Sequence, residues 1–366
     1  MSQPLRIGVL ASIAHRTPPR GYGPWEQVAS TLTEGLVSLG HEVTLFATGD
    51  SLTSATLHAE APHGYEDDPD IDAKVYEGLH NAAAFERAAD FDIISNQFDF
   101  LPLTYSRLVN TPVVTTIHGF SSERILPVYR RYDDIAHYVS ISEADRHPDL
   151  GYEATIHHGI DMAQFTFRGE AGQYLLFLGR IHPDKGTHLA IEVARRCRLP
   201  LVIAGIVHDQ QYFDELVRPH LGVDDVTYVG VVGPAERDRL LGEAIALLHL
   251  IAFDEPFGLS VVEALAAGTP VIAFPRGSMP ELIRPGVTGF LVGSVAEAID
   301  AVERTHTLLR KDCRDDAVAR FSAERMVSDY AELFARVAAD GARAPRRSSK
   351  PGRSTKANRT EVSLAP

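Results

Sequence analysis

The sequence predicts an α/β protein of two doubly wound halves facing each other across a cleft. Three observations lead there. The chain has 366 residues, more than a single core usually supports. Short apolar runs alternate with amphipathic stretches throughout, the pattern of βα units that build a parallel sheet. The alternation breaks once, at Phe165-Thr-Phe-Arg-Gly-Glu-Ala-Gly172, and then restarts.

In the first half, strands are expected at 5–10, 42–46, 92–94, 113–117, 138–140 and 154–157, with helices at 25–39, 73–89 and 101–108. In the second, strands are expected at 174–178, 201–204, 226–229, 246–250 and 271–272, with helices at 188–196, 209–216, 234–240 and 259–266. These divide the chain into 1–165, 166–320, a closing helix within 321–340 that packs back toward the first half, and a tail, 341–366. Met326, Tyr330, Leu333 and Phe334 recur at helical spacing, and Ser322 stands where an N-cap belongs. The tail has no apolar period and is expected to be disordered.

Composition narrows the function. Net charge is −14, and the tail holds seven Lys/Arg against one Glu, so residues 1–340 carry about −20. An acidic body argues against nucleic acid as a partner, since phosphate backbones need a basic face; the basic tail suggests weak attachment to a membrane surface. Two cysteines, Cys197 and Cys313, give neither a disulfide framework nor a metal set, and suit a reducing cytoplasm. A strand beginning at residue 5 leaves no room for a signal peptide. No apolar run approaches a membrane span. An anionic ligand would have to be held by a few placed cations and backbone amides.

Four segments carry candidate chemistry, because ligands of such sheets sit beyond the carboxyl ends of the strands. In Glu255-Pro-Phe-Gly-Leu-Ser-Val-Val-Glu263, the residues Gly258, Leu259 and Ser260 open a helix whose free N–H groups and dipole favour an anion. Glu255 stands before that helix, and Glu263 a turn inside it can accept from both hydroxyls of a ribose. Read alone, the segment is equally a capped core helix. In Gly179-Arg-Ile-His-Pro-Asp-Lys-Gly186, Arg180 at a strand end and Lys185 at a helix start can clamp a diphosphate, or can be surface charge. Gly21 and Gly23 lie in a loop that can approach phosphate, though not a G-x-G-x-x-G turn, which weighs against a dehydrogenase. His118, at the end of the strand 113–117, faces the same cleft and can bond a sugar hydroxyl or simply pack. Asp68-Pro-Asp-Ile-Asp72 superficially resembles a metal-binding run but lies in an acidic loop. His157-His158, before Gly159-Ile-Asp161, read as structural first and as approaching the cleft second, and Asn358-Arg-Thr360 as a glycosylation sequon without consequence in a cytoplasmic tail.

Together these residues resemble the retaining glycosyltransferases of family 4, of GT-B architecture, a group that includes glycogen synthase-like and phosphatidylinositol mannosyltransferase-like enzymes. The likeness extends to about residue 338, with Thr116-Ile-His-Gly119 and His158-Gly-Ile-Asp161 at further family positions. It implies hexose transfer from a nucleoside diphosphate sugar, a UDP-sugar first, with anomeric configuration kept and no metal or other cofactor. It also implies that Arg180 and Lys185 hold the pyrophosphate with the amides of Gly258, Leu259 and Ser260 beside Phe257. Glu263 would hold the ribose, Glu255 the transferred sugar and His118 its far hydroxyls. Gly21 and Gly23 would border the donor, with the base near Ile206, Val207, Gly230 and Val232. Pro24 replaces a glycine common in relatives, and His158 a common asparagine. The acceptor is not legible. A non-catalytic nucleotide-sugar binding protein, a phosphorylase and an epimerase remain as other readings; release of nucleoside diphosphate only with an acceptor present would separate a transferase from them.

Overall fold

A computed structural model describes residues 3–21, 23–120 and 122–343; the expected disordered tail lies, but for its first three residues, outside them. The first half contains β1 (Arg6–Leu10), β2 (Glu42–Phe46), β3 (Thr56–His58), β4 (Ile93–Asn96), β5 (Val113–Ile117), β6 (His137–Ser140) and β7 (Tyr152–Thr155). They form one parallel sheet in the order β3-β2-β1-β4-β5-β6-β7. Helices α1 (Pro24–Ser38), α2 (Ala73–Glu86) and α3 (Leu126–Tyr132) accompany it. All five residues of β5 are buried, as expected of a parallel strand covered on both faces.

The second half repeats the plan with β8 (Tyr174–Leu178), β9 (Leu201–Ala204), β10 (Val226–Gly230), β11 (Ala244–His249), β12 (Val271–Ala273) and β13 (Gly289–Leu291), ordered β10-β9-β8-β11-β12-β13. Its helices are α4 (Thr187–Cys197), the single turn α5 (Gln210–Tyr212), α6 (Pro234–Glu243), α7 (Leu259–Ala267), α8 (Met279–Leu282), α9 (Val295–Arg304) and α10 (Arg310–Phe321). The last helix, α11 (Ala323–Arg343), returns to the first half. Its Met326, Val327, Tyr330, Leu333, Phe334 and Val337 are buried in one cluster with Val28, Leu32 and Leu36 of α1 and Ile7 and Val9 of β1. Gly35 of α1 permits that approach, because a Cβ there would stand 2.3 Å from the Val327 side chain. The Ser322 hydroxyl accepts from the Arg325 amide at 3.4 Å at the start of α11.

Several expected elements differ. Residues 101–108 form a 3-10 helix, not an α-helix; Pro102 stands at its start, and Leu103 and Ser106, three apart, are buried as the tighter period requires. The expected helix at 209–216 becomes α5, a π-helical turn Phe213–Val217 and a 3-10 turn Arg218–His220. Pro219 lacks an N–H and its ring crowds the carbonyl four residues earlier, which explains the widened turn. Lys185 does not open α4. It ends a 3-10 turn, Pro183–Lys185, and Gly186 follows at φ 71°, a left-handed conformation that costs glycine nothing. The first-half helix written as 73–89 stops at Glu86, and Ala88–Asp90 is again 3-10. The strands β3 and β13 and the helices α3, α8, α9 and α10 have no counterpart in the sequence reading.

Candidate active site

Beyond the ends of β8 and β11, the second half gathers its candidate charges. Arg180 follows β8, is half-buried, and forms no side-chain ion pair or hydrogen bond among the described residues. The turn carrying Lys185 is tied to the loop after β11 by the Ala252 amide, which donates to the Asp184 carbonyl at 2.7 Å. That tie brings Lys185 Nζ onto Glu255 Oε2 as an ion pair, with the ammonium also 4.6 Å above the Phe253 ring. His249 Nε2 lies 3.6 Å from the same Oε2. Burial alone would push the Glu255 carboxyl up, but His249 and Lys185 outweigh it and hold it at about 2.

Next along the chain, Gly258 caps α7 with φ 103°, and no side chain among the described residues caps that helix end by a hydrogen bond. The amides of Leu259 and Ser260 are therefore the open donors of the first turn. Phe257 is buried beside them, its carbonyl accepting from the Ser278 hydroxyl. Glu263 is 9% exposed, not a solvated surface glutamate, and pairs with Arg237 of α6 at 3.2 Å. Burial raises its carboxyl pKa and Arg237 opposes that rise only partly. Toward the other sheet edge, Gly205 N donates to Gly230 O at 2.8 Å, so the ends of β9 and β10 are joined. Ile206 and Val231 are exposed there, flanking half-buried Val232.

The first half contributes His118, directly after β5. Its Nε2 is 3.1 Å from Gln97 Oε1 and its Nδ1 3.3 Å from His158 Nε2. Its ring stacks on Trp25 with centroids 5.6 Å apart. Burial pushes the imidazole down to about 3, so His118 is neutral and offers no cation to the cleft. Gln97 is itself held by the hydroxyls of Ser95 and Thr116, each at 2.9 Å, and Thr116 meets the Tyr330 hydroxyl of α11 at 2.8 Å. Gly21 has open space where a side chain would begin, whereas Gly23 is closed in by Pro19, 2.7 Å from an added Cβ.

Polar and aromatic contacts join the halves beside this cluster. Ser142 donates its hydroxyl to the Pro256 carbonyl at 2.7 Å. The Glu281 carboxylate accepts from the amides of Glu143 and Ala144 at 2.9 and 2.7 Å and pairs with His157 at 3.1 Å. Burial raises Glu281, but His157 and those two amides overcome it and leave the carboxyl lowered. His158 meets Phe257 edge-on, with centroids 5.0 Å apart.

Arg180, Lys185, Glu255 and the start of α7 thus share one strand-end edge, and His118 belongs to the opposing half. Glu263 lies deeper, with Arg237. Asp72 caps α2 through the Val75 amide at 3.0 Å, and Asp68 closes a turn onto Asp70 at 3.0 Å. Gln97, Arg237 and His249 are not among the residues the sequence points to, and His158, for which approach to the cleft is the second of two expectations, meets His118 and Phe257. The signal for His249 was present: it is the one polar residue of the apolar strand Ala-Ile-Ala-Leu-Leu-His, and buried polar groups need partners. Among the described residues no helix is long and apolar enough to cross a membrane.

Comparison with known proteins agrees with this layout. The model for glycosyl transferases group 1 matches residues 162–325, and that for glycosyltransferase family 4 matches residues 25–164. Glycogen synthase of Mycobacterium tuberculosis is 32% identical over 197 residues, covering 50% of this chain and 46% of its own. The chain therefore spans about half the length of that curated relative. AviGT4, a glycosyltransferase involved in avilamycin A biosynthesis, is 26% identical with a TM-score of 0.70, covering 92% of this chain and 98% of its own. Anabaena HepE, solved in complex with UDP-glucose, has the same fold at 18% identity, with a TM-score of 0.68 over 91% of this chain and 100% of its own. Two parallel-sheet halves, each matched by its own model, identify the chain as a member of the family 4 glycosyltransferases of GT-B fold.

Proposed function

We propose that the chain is a retaining glycosyltransferase that moves a hexose from a nucleoside diphosphate sugar, UDP-sugars first, to an acceptor held by the first half. The observation that carries this reading is the charge arrangement at one strand-end edge: Arg180 with no ion pair among the described residues, Lys185 against Glu255, and the start of α7 with no side-chain cap bond. A diphosphate would meet two cations and the amides of Leu259 and Ser260, and those donors act most strongly as negative charge grows on the leaving group. Glu263, paired with Arg237 at 3.2 Å, would take the ribose hydroxyls, and Glu255 would take the transferred sugar. The bound UDP-glucose of HepE supports a nucleotide sugar as the donor.

In this mechanism the acceptor hydroxyl attacks the face from which the diphosphate departs. Its proton passes to the departing phosphate oxygen, while Arg180 and Lys185 stabilise the developing charge. His118, neutral and fixed by Gln97, contributes a hydrogen-bonding edge rather than charge. The two cations and the helix amides can neutralise the diphosphate without a divalent ion, so transfer should persist in EDTA. The tests are a thermal-shift panel of nucleoside diphosphate sugars, where a ligand at 100 times its Kd adds about 2.7 kcal/mol, and NMR of the first-formed product. An inverted anomer would overturn the mechanism, and nucleoside diphosphate release independent of any acceptor would overturn the transferase reading.

A further inference from the structure

Glu255 has two partners on one oxygen, half-buried Lys185 and buried His249, and they are not equivalent. Lys185 Nζ is paired with Oε2, while His249 Nε2 stands 3.6 Å from it, just beyond hydrogen-bond length. His249 is 6% exposed and its Nε2 has no hydrogen-bond partner among the described residues. A buried ring nitrogen without a partner is costly, and a histidine ending an otherwise apolar strand is conspicuous. The nearest group able to use it is the Glu255 carboxylate. Oε1 of Glu255 forms no hydrogen bond among the described residues and is the oxygen left for a ligand.

The reading proposed above, on which this inference rests, requires Lys185 to turn from Glu255 to a diphosphate when the donor arrives. Glu255 would then be a buried carboxylate deprived of its cation, and such groups take up a proton or destabilise the site. We propose that His249 is the positioning residue for Glu255: it takes over Oε2 as Lys185 leaves, so that Glu255 stays ionised and oriented with Oε1 toward the transferred sugar. The movement required is a closure from 3.6 Å to hydrogen-bond length, within reach of a small side-chain rotation. His249 touches neither sugar nor phosphate and acts only through Glu255.

Two double-variant cycles on the full chain test this. The first measures unfolding by urea for His249→Val, Glu255→Gln and the pair; coupling between the two positions is expected, with the pair less destabilised than the sum. The second measures turnover with UDP-glucose or whichever nucleotide sugar the thermal-shift panel selects. His249→Val should lower kcat about tenfold with little change in donor KM and should add nothing in the Glu255→Gln background. His249→Gln, whose amide nitrogen reaches roughly the position of Nε2, should recover most of kcat. His249→Asn, whose amide lies nearer Nδ1, should not. If the unfolding cycle is additive, or Val, Asn and Gln lower kcat alike, His249 is a packing residue and the inference is overturned. If coupling is present but Glu255→Gln transfers at the normal rate, the assignment of Glu255 to the sugar fails instead.

Discussion

Lys185 and Glu255 neutralise each other across the gap between the strand ends of β8 and β11. In the proposed function Lys185 serves the diphosphate and Glu255 the transferred sugar, so the donor would have to part them. Lys185→Ala should therefore weaken donor binding and slow transfer further, on the order of tenfold or more, because its attraction grows as the diphosphate departs. Calorimetry beside steady-state turnover reads both. Unchanged turnover in a folded variant would remove Lys185 from the pyrophosphate site.

Glu255 and Glu263 should separate in the same experiment. Glu255→Gln is expected to cut turnover about a hundredfold with a small change in affinity, as loss of one placed polar group can. Glu263, read as a ribose ligand, contacts a part of the donor that does not change, so Glu263→Gln should appear mainly as weaker binding. Arg237→Gln should act in the same direction as Glu263→Gln, because it removes the cation paired with that buried carboxyl at 3.2 Å. Equal and small effects at both glutamates would reduce the segment to a capped core helix.

His80 governs part of the acid limb of stability. Its Nε2 meets the Ala11 carbonyl at 2.9 Å, and burial pushes its pKa down to about 4. The folded state favours the neutral ring, so this contribution is complete above about pH 6.5 and is lost as pH falls from there toward 4. The slope is about 1.4 kcal/mol per pH unit for one group. Between pH 7 and pH 5, the parent should lose about 2 kcal/mol that His80→Gln does not lose, measured by urea unfolding. Parallel losses in the two proteins would remove His80 from the acid response.

Asp145 works in the opposite sense. Its Oδ2 is buried with no hydrogen-bond partner among the described residues, and burial followed by the nearby Glu281 pushes the carboxyl up to about 7. A raised carboxyl contributes fully below its unfolded pKa, near 4, and loses that contribution as pH rises toward 7. Asp145→Asn should thus raise the Tm at pH 8 and change it little at pH 4. A gain of equal size at both values would point to packing rather than charge.

Much of the scaffold is readable from the chain because its strands are short, mostly apolar or β-branched runs. Val113–Ile117, Glu42–Phe46 and Tyr174–Leu178 stand where the pattern puts them. Thr56–His58 and Gly289–Leu291 are three-residue edge strands, too short to show a period. In the cleft, Arg180, Lys185 and the two glutamates are legible because their segments combine charge with glycine at element ends. Their partners are not. Arg237 meets Glu263 from another helix, and Gln97, His118 and His158 come from three separate segments joined only by folding. No local pattern encodes such contacts.

The return of α11 into the first half sets where this chain can be cut or recombined. Residues 1–165 expressed alone would bare the face of α1 and β1 that Tyr330, Leu333 and Phe334 cover, an apolar surface of the kind that drives aggregation. A chimera that grafts a new first half onto this second half must therefore bring its own final helix as well. For protein engineering, the exchangeable module is discontinuous: the first half together with α11, around an insert that runs from β8 to α10.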